Sequence, residues 1–213
     1  MIVGLTGPNA AGKGEAAAFF RKRGFTYLSL SDIIREEATR RGIEHSRTNL
    51  ILIGNELRHT SGFGVLASRT NEKIRELPGD VVVDSIRSPY EVEELRKNEH
   101  FFLLGIDAPV DLRFQRARLR GRIENALSLE EFRMMEAKEN TQTKGNQQLS
   151  ATFALADRVI MNDGSLEDFH RKLDKFLAGL TTNHDPLQAP GAQGKTEGPE
   201  HTDQQSKDTD AEE

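Results

Sequence analysis

The sequence predicts an α/β fold in which a parallel sheet of five strands carries helices on both faces. Five short apolar runs alternate with segments whose apolar residues recur at helical spacing, the order expected of such a sheet. The run Val81-Val82-Val83 is apolar without alternation, which is typical of a strand buried on both faces. We therefore predict five strands, at Ile2–Thr6, Phe25–Leu30, Val81–Val83, Phe101–Ile106 and Val159–Met161.

Glycines and polar caps mark the ends of the predicted helices. The first helix, Gly12–Arg23, ends at Gly24, and Ser31-Asp32 is predicted to cap the second, Ile33–Arg41. Between the later helices, Lys144–Ser150 is polar and is predicted to be a loop. The remaining helices are predicted at Thr48–Arg58, Phe63–Glu76, Pro89–Lys97, Val110–Arg120, Ser128–Glu139, Thr152–Ala156 and Leu166–Leu180.

The composition divides the chain into a domain and a tail. Residues 184–213 contain one Leu, no Val, Ile, Met or aromatic residue, and a net charge of −6, whereas the whole chain of 213 residues carries −5. We therefore predict a folded domain over residues 1–183, with a net charge of +1, and a disordered acidic tail over residues 184–213. The negative charge belongs to the tail and does not argue against an anionic ligand on the domain.

Other features of the composition exclude several classes of protein. The chain has no Cys, which excludes a disulfide scaffold and a metal held by Cys. No apolar run approaches the roughly 18 residues that a membrane span needs, and no secretory signal is evident. We therefore expect a cytoplasmic protein that does not enter a membrane.

A glycine-rich segment follows the first predicted strand and opens the first predicted helix. Gly7-Pro8-Asn9-Ala10-Ala11-Gly12-Lys13 fits the pattern G-x-x-x-x-G-K. In that position the backbone N–H groups of the loop and the helix N-terminus attract phosphate, and Lys13 reaches the β- and γ-phosphates of a nucleotide. Motif and context together predict an ATP-binding loop rather than a turn that only joins a strand to a helix.

The two residues after this loop depart from the common pattern. Gly14 stands where most such loops have a Ser or Thr that ligates Mg²⁺, and Glu15 follows it. A carboxylate beside a triphosphate is unfavourable unless it faces Mg²⁺ or solvent. The residues expected to border ATP here are Gly7, Pro8, Asn9, Ala10, Ala11, Gly12, Lys13, Gly14 and Glu15.

An acid and an arginine follow the third predicted strand. Asp84 comes directly after Val81–Val83, so in this fold it emerges at the carboxyl edge of the sheet, beside the phosphate loop. A carboxylate in that place orients hydrated Mg²⁺; the alternative is an Asp that caps the next turn. Arg87 lies three residues further on, where it binds phosphate or is an ordinary surface residue.

The second half of the chain contains a dense run of arginines: Arg113, Arg116, Arg118, Arg120 and Arg122. On a helix, Arg113, Arg116 and Arg120 share one face, where their charges repel unless an anion lies among them. Guanidinium groups suit phosphoryl oxygens because they bind them through paired hydrogen bonds. A solvated helix face is one alternative, and a nucleic-acid patch is a less favoured one.

From Met1 to about Leu180, these motifs resemble those of P-loop kinases. Gly12-Lys13-Gly14 is similar to the loop ending of adenylate kinases and related nucleoside monophosphate kinases, where a Thr stands in place of Glu15. Adenylate kinases also carry an Asp-Gly-Phe-Pro-Arg segment after the strand that corresponds to Val81–Val83. The Arg of that segment binds phosphate, and the resemblance implies the same role for Arg87. The arginine run falls where these kinases place their lid, at about residues 113–145.

The two ends of the chain resemble dephospho-CoA kinase. This resemblance implies that Asp32 is a general base for an acceptor hydroxyl, and that Asn162 and Gly164 border the adenine of ATP. The segments that carry it are Gly4-Leu5-Thr6-Gly7, Ser31-Asp32-Ile33-Ile34-Arg35 and the stretch from Ala156 to Glu167.

The middle of the chain is closer to a family of archaeal and bacterial P-loop kinases. That family is similar to the kinase-like domain fused to deoxycytidylate deaminases; a deaminase itself is excluded here because its zinc site needs Cys. The segments that carry this resemblance are Thr48-Asn49-Leu50, Gly54–Arg58, Gly62–Ala67 and Asp84–Pro89.

Three functions account for these features. The first is an ATP- and Mg²⁺-dependent kinase that acts on a nucleoside monophosphate or a similar phosphorylated small molecule. The second is dephospho-CoA kinase, with Asp32 as the base. The third is a nucleotide-binding regulatory ATPase without a small-molecule acceptor, which Gly14 and Glu15 favour.

The kinase hypothesis gives each candidate residue a role. Lys13, Arg116 and Arg120 stabilise the transferring phosphoryl group, and Asp84 holds Mg²⁺ through water. The residues predicted to bind the acceptor are Asp32, Arg35, Arg58 and Arg87.

Overall fold

A computed structural model describes residues 1–120, 128–139 and 148–182. Five strands form one parallel sheet in the order β2-β3-β1-β4-β5, which confirms the predicted fold class. Each prediction of a strand is confirmed to within two residues at either end. The strands are β1 (Ile2–Thr6), β2 (Thr26–Ser29), β3 (Val81–Asp84), β4 (Phe101–Asp107) and β5 (Arg158–Met161).

Helices connect the strands and cover both faces of the sheet. Within the described ranges they are α1 (Lys13–Arg21), α2 (Leu30–Arg40), α3 (Arg47–Ser61), α4 (Val65–Glu76), α5 (Pro89–Leu95), α6 (Val110–Leu119), α7 (Leu129–Glu139), α8 (Leu149–Phe153) and α9 (Leu166–Thr182). The predicted tail at 184–213, Arg122 and parts of the predicted lid region lie outside the described residues.

Several predicted helix ends differ from the structure; α3, for example, extends to Ser61 and not only to Arg58. For two helix starts the hydrogen bonds give the reason. Helix α2 begins at Leu30 because Ser29, which is extended, accepts a hydrogen bond from the N–H of Ser31 at 3.3 Å; Ser29, and not Ser31-Asp32, is the N-cap. Helix α8 begins at Leu149, inside the predicted loop. It starts there because the carbonyl of Gln148 accepts hydrogen bonds from both the N–H and the hydroxyl of Thr152.

The apolar core forms one layer on each face of the sheet. Strand β3 supplies both layers, since Val81 and Val83 face one cluster and Val82 faces the other, as alternation along a strand requires. Helices α2 to α5 cover the first face with residues such as Leu66, and α1 and α9 cover the second with residues such as Phe19. The carboxyl ends of β1, β3 and β4 therefore meet at one edge of a rigid sheet.

Candidate nucleotide-binding site

The loop after β1 has a backbone that only glycine allows at two positions. Gly7 has φ 136°, and a Cβ there would lie 2.0 Å from the carbonyl oxygen of Ile106. Gly12 has φ 119°, and a Cβ there would lie 2.3 Å from Nδ2 of Asn162. Helix α1 begins directly afterwards at Lys13, and Gly12 has no side chain to cap it. The first-turn N–H groups are thus left for an anion.

Lys13 folds back over the loop. Its Nζ donates hydrogen bonds to the carbonyl oxygens of Gly7 at 2.6 Å and Pro8 at 2.8 Å. Burial lowers the pKa of Lys13 from 10.5 to about 8, and the positive charge of Arg87 adds to this effect while Asp84 opposes it. These charge interactions bring three sequence-predicted residues into one neighbourhood.

Asp84 ends β3 and organises the turn that follows. Its Oδ1 accepts the N–H of Ser85 at 2.6 Å, and its Oδ2 accepts the hydroxyl of Tyr27 at 3.4 Å. Burial raises the pKa of Tyr27, and the charges of Asp84 and Asp32 raise it further. Ser85 has φ 68°, and its hydroxyl lies 3.1 Å from that of Ser29. Tyr27, Ser29 and Ser85 were not among the predicted site residues: Tyr27 lies within β2, Ser29 ends β2, and Ser85 follows β3.

The backbone of Arg87 is held by a buried acid, Glu91, which was not among the predicted site residues. The N–H of Arg87 donates to Oε2 of Glu91 at 2.8 Å, and NH2 of Arg58 donates to Oε1 at 3.1 Å. Complete burial raises the pKa of Glu91, and the charge of Arg58 opposes this. A signal was present, because Ser88-Pro89-Tyr90-Glu91 has the spacing of a capping box. Arg58, predicted to bind the acceptor, is buried in this pair.

Asp32 and Arg35 lie near the surface of α2. Oδ1 of Asp32 accepts a hydrogen bond from NH1 of Arg35 at 2.6 Å, and about half of each side chain is exposed. Because the charge of Asp32 affects Tyr27, this pair lies on the same side of the site as Asp84. Both side chains are therefore accessible from solvent.

Arg113, on the predicted arginine face of α6, already has partners within the protein. Arg113 is buried: its guanidinium donates to the carbonyls of Ala108 and Asn9 and forms an ion pair with Glu136 of α7. These tertiary contacts, as well as the helical spacing, determine where the Arg113 side chain lies. Arg120 is exposed at the end of α6.

Arg116 is tied to the end of β5. Its guanidinium donates to the backbone oxygen of Asn162 at 3.1 Å and to Oδ1 of the same residue at 3.4 Å. Partial burial and the charge of Arg120 lower the pKa of Arg116. The charge of Arg120 therefore acts on Arg116, as expected of residues one helical turn apart.

Asn162 connects the phosphate loop to β5. Its Nδ2 donates to the carbonyl of Ala11 at 2.8 Å, and its N–H donates to that of Asp107 at 2.7 Å. Gly164 lies two residues beyond, in the turn before α9. The buried amide of Asn162 thus supports the loop as well as bordering it.

Glu15 reaches across to α9. Its Oε1 lies 2.8 Å from Nε2 of His170, and both side chains are about one-third exposed. A Cβ built at the neighbouring Gly14 would meet no atom within 4 Å. Position 14 therefore has room for the hydroxyl that most phosphate loops carry.

Comparison with known proteins gives the family. The AAA domain model matches residues 6–133, more than half of the chain. A UPF0200 protein of Pyrococcus horikoshii is 37% identical over 189 residues, which cover 86% of this chain and 99% of that protein. The chain belongs to the UPF0200 family. Another UPF0200 protein, from Pyrococcus abyssi, is 38% identical over 183 residues and covers 83% of this chain and 95% of its own.

Solved structures similar to this UPF0200 chain are P-loop kinases or share their fold. The protein TT1252 from Thermus thermophilus aligns with a TM-score of 0.57 and 24% identity over 84% of this chain and 97% of its own. Shikimate kinase from Acinetobacter baumannii, solved with shikimate, aligns with a TM-score of 0.52 and 16% identity over 86% and 94%. At these identities the likeness shows the kinase-like fold alone. These relatives lend no support to the resemblance to deaminase-fused domains.

The UPF0200 fold implies binding of a nucleotide, typically with Mg²⁺. The N-terminus of α1, Lys13 and Asp84 have the chemistry that a nucleotide and Mg²⁺ need. Over the residues described, no three His, Asp or Glu side chains gather as a metal cage. Mg²⁺ in nucleotide sites does not need one, because one carboxylate, waters and the phosphates hold it. Asp84 supplies such a carboxylate beside the uncapped start of α1.

In the same described ranges, no helix has the length and apolar character to cross a membrane.

Proposed function

We propose that this UPF0200 chain is an ATP-dependent phosphotransferase that acts on a nucleoside monophosphate or a similar phosphorylated small molecule. The observation that carries the proposal is the meeting of three groups at one sheet edge: the uncapped N-terminus of α1, the Lys13 ammonium and the Asp84 carboxylate. Phosphoryl transfer requires mainly positioning and charge stabilisation, which these groups supply.

The donor side comprises the phosphate loop and the end of β5. Residues 7–15 surround the phosphates of ATP, and Asn162 and Gly164 border its base. Lys13 leaves the carbonyls of Gly7 and Pro8 for the β- and γ-phosphates, which are stronger acceptors because they carry charge. Mg²⁺, when bound, neutralises charge on those phosphates, and Asp84 orients it through water.

The acceptor side comprises α2 and the turn after β3. Arg35 and Arg87 hold the phosphate of the acceptor, and Asp32 positions its reacting group. Arg58 was also predicted to bind the acceptor, and its guanidinium is buried against Glu91 on this side of the site. An acceptor that reacts through a phosphate needs no strong base, so the exposed Asp32–Arg35 pair suffices for positioning.

Helix α6 supplies charge to the transferring group. Arg116 and Arg120 are one helical turn apart, and the charge of Arg120 lowers the pKa of Arg116; this spacing supports a shared contact with one phosphoryl group. We include α6 in a lid region of about residues 113–145, within a kinase domain of residues 1–183 that precedes an acidic tail.

Two alternatives rest on specific observations. A dephospho-CoA kinase is favoured by the half-exposed carboxylate of Asp32, which a hydroxyl acceptor would use as a base. A nucleotide-binding regulatory ATPase is favoured by the absence of a hydroxyl at Gly14 and by the contact of Glu15 with His170. In that case the loop binds nucleotide without rapid transfer.

A screen of acceptors separates these functions. ADP production by the full chain with MgATP is measured against each nucleoside monophosphate and dephospho-CoA, with Lys13→Ala as the inactive control. A kinase of the proposed class gains rate with one monophosphate, and a dephospho-CoA kinase gains it only with dephospho-CoA. The same slow rate with every compound contradicts the proposal and supports the regulatory ATPase.

A further inference from the structure

The peptide groups of Arg87 are held on both sides by other parts of the chain. The N–H of Arg87 donates to Oε2 of Glu91 at 2.8 Å, and its carbonyl accepts from the N–H of Gln148 at 2.9 Å. Glu91 lies in the first turn of α5 and is completely buried. The buried carboxylate of Glu91 therefore makes the hydrogen bond that water would otherwise make to the backbone N–H of Arg87. Arg87 is the residue proposed to bind the phosphate of the acceptor.

The turn that leads to Arg87 needs this support because its backbone is strained. Ser85 has φ 68°, in the left-handed region that residues with a Cβ rarely adopt. The Asp84 carboxylate holds the N–H of Ser85, and the Thr6 hydroxyl donates to the carbonyl of Ile86 at 3.0 Å. Thr6 of β1 and Glu91 of α5 thus hold the two polar groups of one peptide, the Ile86 carbonyl and the Arg87 N–H.

Arg58 compensates the charge of this carboxylate. Its NH2 donates to Oε1 of Glu91 at 3.1 Å, the side chain is only 9% exposed, and within the described part of the chain its buried Nε has no hydrogen-bond partner. A guanidinium that bound the acceptor directly would be expected at the surface with its donors free. The placement instead suits a counter-charge, because a lone buried carboxylate is strongly unfavourable.

We propose that Glu91 is a positioning residue of the acceptor site, which fixes Arg87 through its peptide N–H, and that Arg58 acts only by balancing the charge of Glu91. The proposal rests on the proposed function, in which Arg87 binds the phosphate of the acceptor. It has a specific consequence: position 91 must supply a hydrogen-bond acceptor to Arg87, whereas the charge at positions 58 and 91 is dispensable.

Two double variants test this consequence. Arg58→Met with Glu91→Gln removes both charges and keeps an amide oxygen for the N–H of Arg87. Arg58→Met with Glu91→Leu removes both charges and that oxygen. Neither protein keeps an uncompensated buried charge, and removal of both partners of a buried ion pair is often tolerated. The intended difference between the two proteins is the hydrogen-bond acceptor at position 91. Thermal unfolding checks that both are folded.

The first measurement is hydrogen exchange at the Arg87 amide, which needs no acceptor. We expect near wild-type protection in the Gln double variant and about tenfold or greater loss of protection in the Leu double variant. The second is steady-state kinetics with the most active compound of the acceptor panel. We expect the KM for that acceptor to rise about tenfold in the Leu double variant alone, with the KM for ATP unchanged.

Equal exchange rates at Arg87 in the two double variants, or an equal acceptor KM, would overturn the proposal. If the Leu double variant does not fold, Glu91→Asp replaces it: this change keeps the charge pair but shortens the side chain, so Arg87 should again lose protection. If no compound of the panel supports turnover, the proposed function fails, while exchange at Arg87 still decides the role of Glu91.

Discussion

The side-chain amide of Asn162 donates a 2.8 Å hydrogen bond to the carbonyl of Ala11 and so joins the end of β5 to the phosphate loop. The same residue accepts hydrogen bonds from Arg116 through its backbone and side-chain oxygens. One buried residue therefore connects the phosphate loop to α6, the helix that we propose supplies charge to the phosphates of ATP.

We expect Asn162→Ala to weaken both ATP binding and phosphoryl transfer. The carbonyl of Ala11 loses its buried partner, and Arg116 keeps its bond to the backbone oxygen of residue 162 but loses the one to Oδ1. ATP affinity should therefore fall about tenfold, equivalent to roughly 1.4 kcal/mol. Nucleotide titration calorimetry measures the loss. Asn98→Ala is the control, since Asn98 bonds to Asn71 and Leu95 instead. Equal ATP affinities in the two variants would mean that Asn162 does not support the site.

Gly12 in the phosphate loop and Gly14 in the first turn of α1 should respond oppositely to replacement by serine. At Gly14 a Cβ meets no atom within 4 Å, so Gly14→Ser should fold at least as stably as the wild type and lower the Mg²⁺ concentration that gives half-maximal turnover. At Gly12 the φ of 119° and the nearby Asn162 amide oppose a side chain, so Gly12→Ser should lose nucleotide binding. Thermal unfolding and a Mg²⁺ titration check both. An unchanged Mg²⁺ requirement in Gly14→Ser would place position 14 away from the metal.

Lys13 should take up a proton when nucleotide binds above neutral pH. Its pKa is lowered to about 8 in the free protein, so a growing fraction is uncharged as the pH rises past that value. Negative phosphates favour the charged form and raise the pKa. Calorimetry at about pH 8.5 in buffers of different ionisation enthalpy should show proton uptake with ATP, and Lys13→Met should abolish both the uptake and phosphoryl transfer. Proton uptake that persists in Lys13→Met would assign it to another group.

The same lowered pKa has a consequence for the free protein. The unfolded chain binds a proton at Lys13 up to a pH near 10.5, whereas the folded chain releases it at about 8. Between these values the unfolded state holds more protons, so this residue makes the free energy of unfolding rise with pH. Lys13→Met should remove that part of the pH dependence, which chemical denaturation at several pH values would detect.

Removal of the acidic tail should leave the domain intact. A chain that ends at Asn183 loses no large apolar residue except one Leu, so its core contacts should remain. We expect its melting temperature and ATP affinity to match those of the full chain. A fall of more than about 4 °C, the effect of roughly 1 kcal/mol in a domain of this size, would contradict the predicted division at residue 183.

The sequence predicts the sheet and the phosphate loop because both follow from local patterns. The run Val81–Val83 predicts a buried strand by itself, and the loop is defined by seven consecutive residues between a strand and a helix. Even where a boundary was wrong, as at Ser29, the correct cap lay only two residues away and used the same chemistry. Local patterns of this kind need no knowledge of tertiary contacts.

The partners of the candidate residues could not be predicted in this way. Glu91 and Arg58 are 33 residues apart, and Asn162 and Ala11 are 151 residues apart. Such pairs form only after the sheet brings distant segments together, and a single sequence does not show which side chain then meets which. The role of Arg58 was therefore predicted from its charge alone, without its buried counter-ion.

Arg120→Ala should lower kcat strongly and the KM for ATP only slightly. Arg120 is exposed at the end of α6, and its charge lowers the pKa of Arg116, so the two guanidinium groups can act on one phosphoryl group. Charge on that group is redistributed in the transition state, where loss of one arginine can cost on the order of 10³-fold in turnover.

Arg118 provides the matched control on the same helix. Its guanidinium lies over the ring of Phe114, with the carbon 5.6 Å from the ring centre, so Arg118→Ala removes an equal charge from a different face. Steady-state kinetics with the identified acceptor should show a large fall in kcat for Arg120→Ala and a small one for Arg118→Ala. Equal, small effects would indicate a solvated helix face. Unchanged turnover with weaker, salt-dependent RNA binding in both variants would instead indicate a nucleic-acid surface, and either result would remove Arg120 from the catalytic residues.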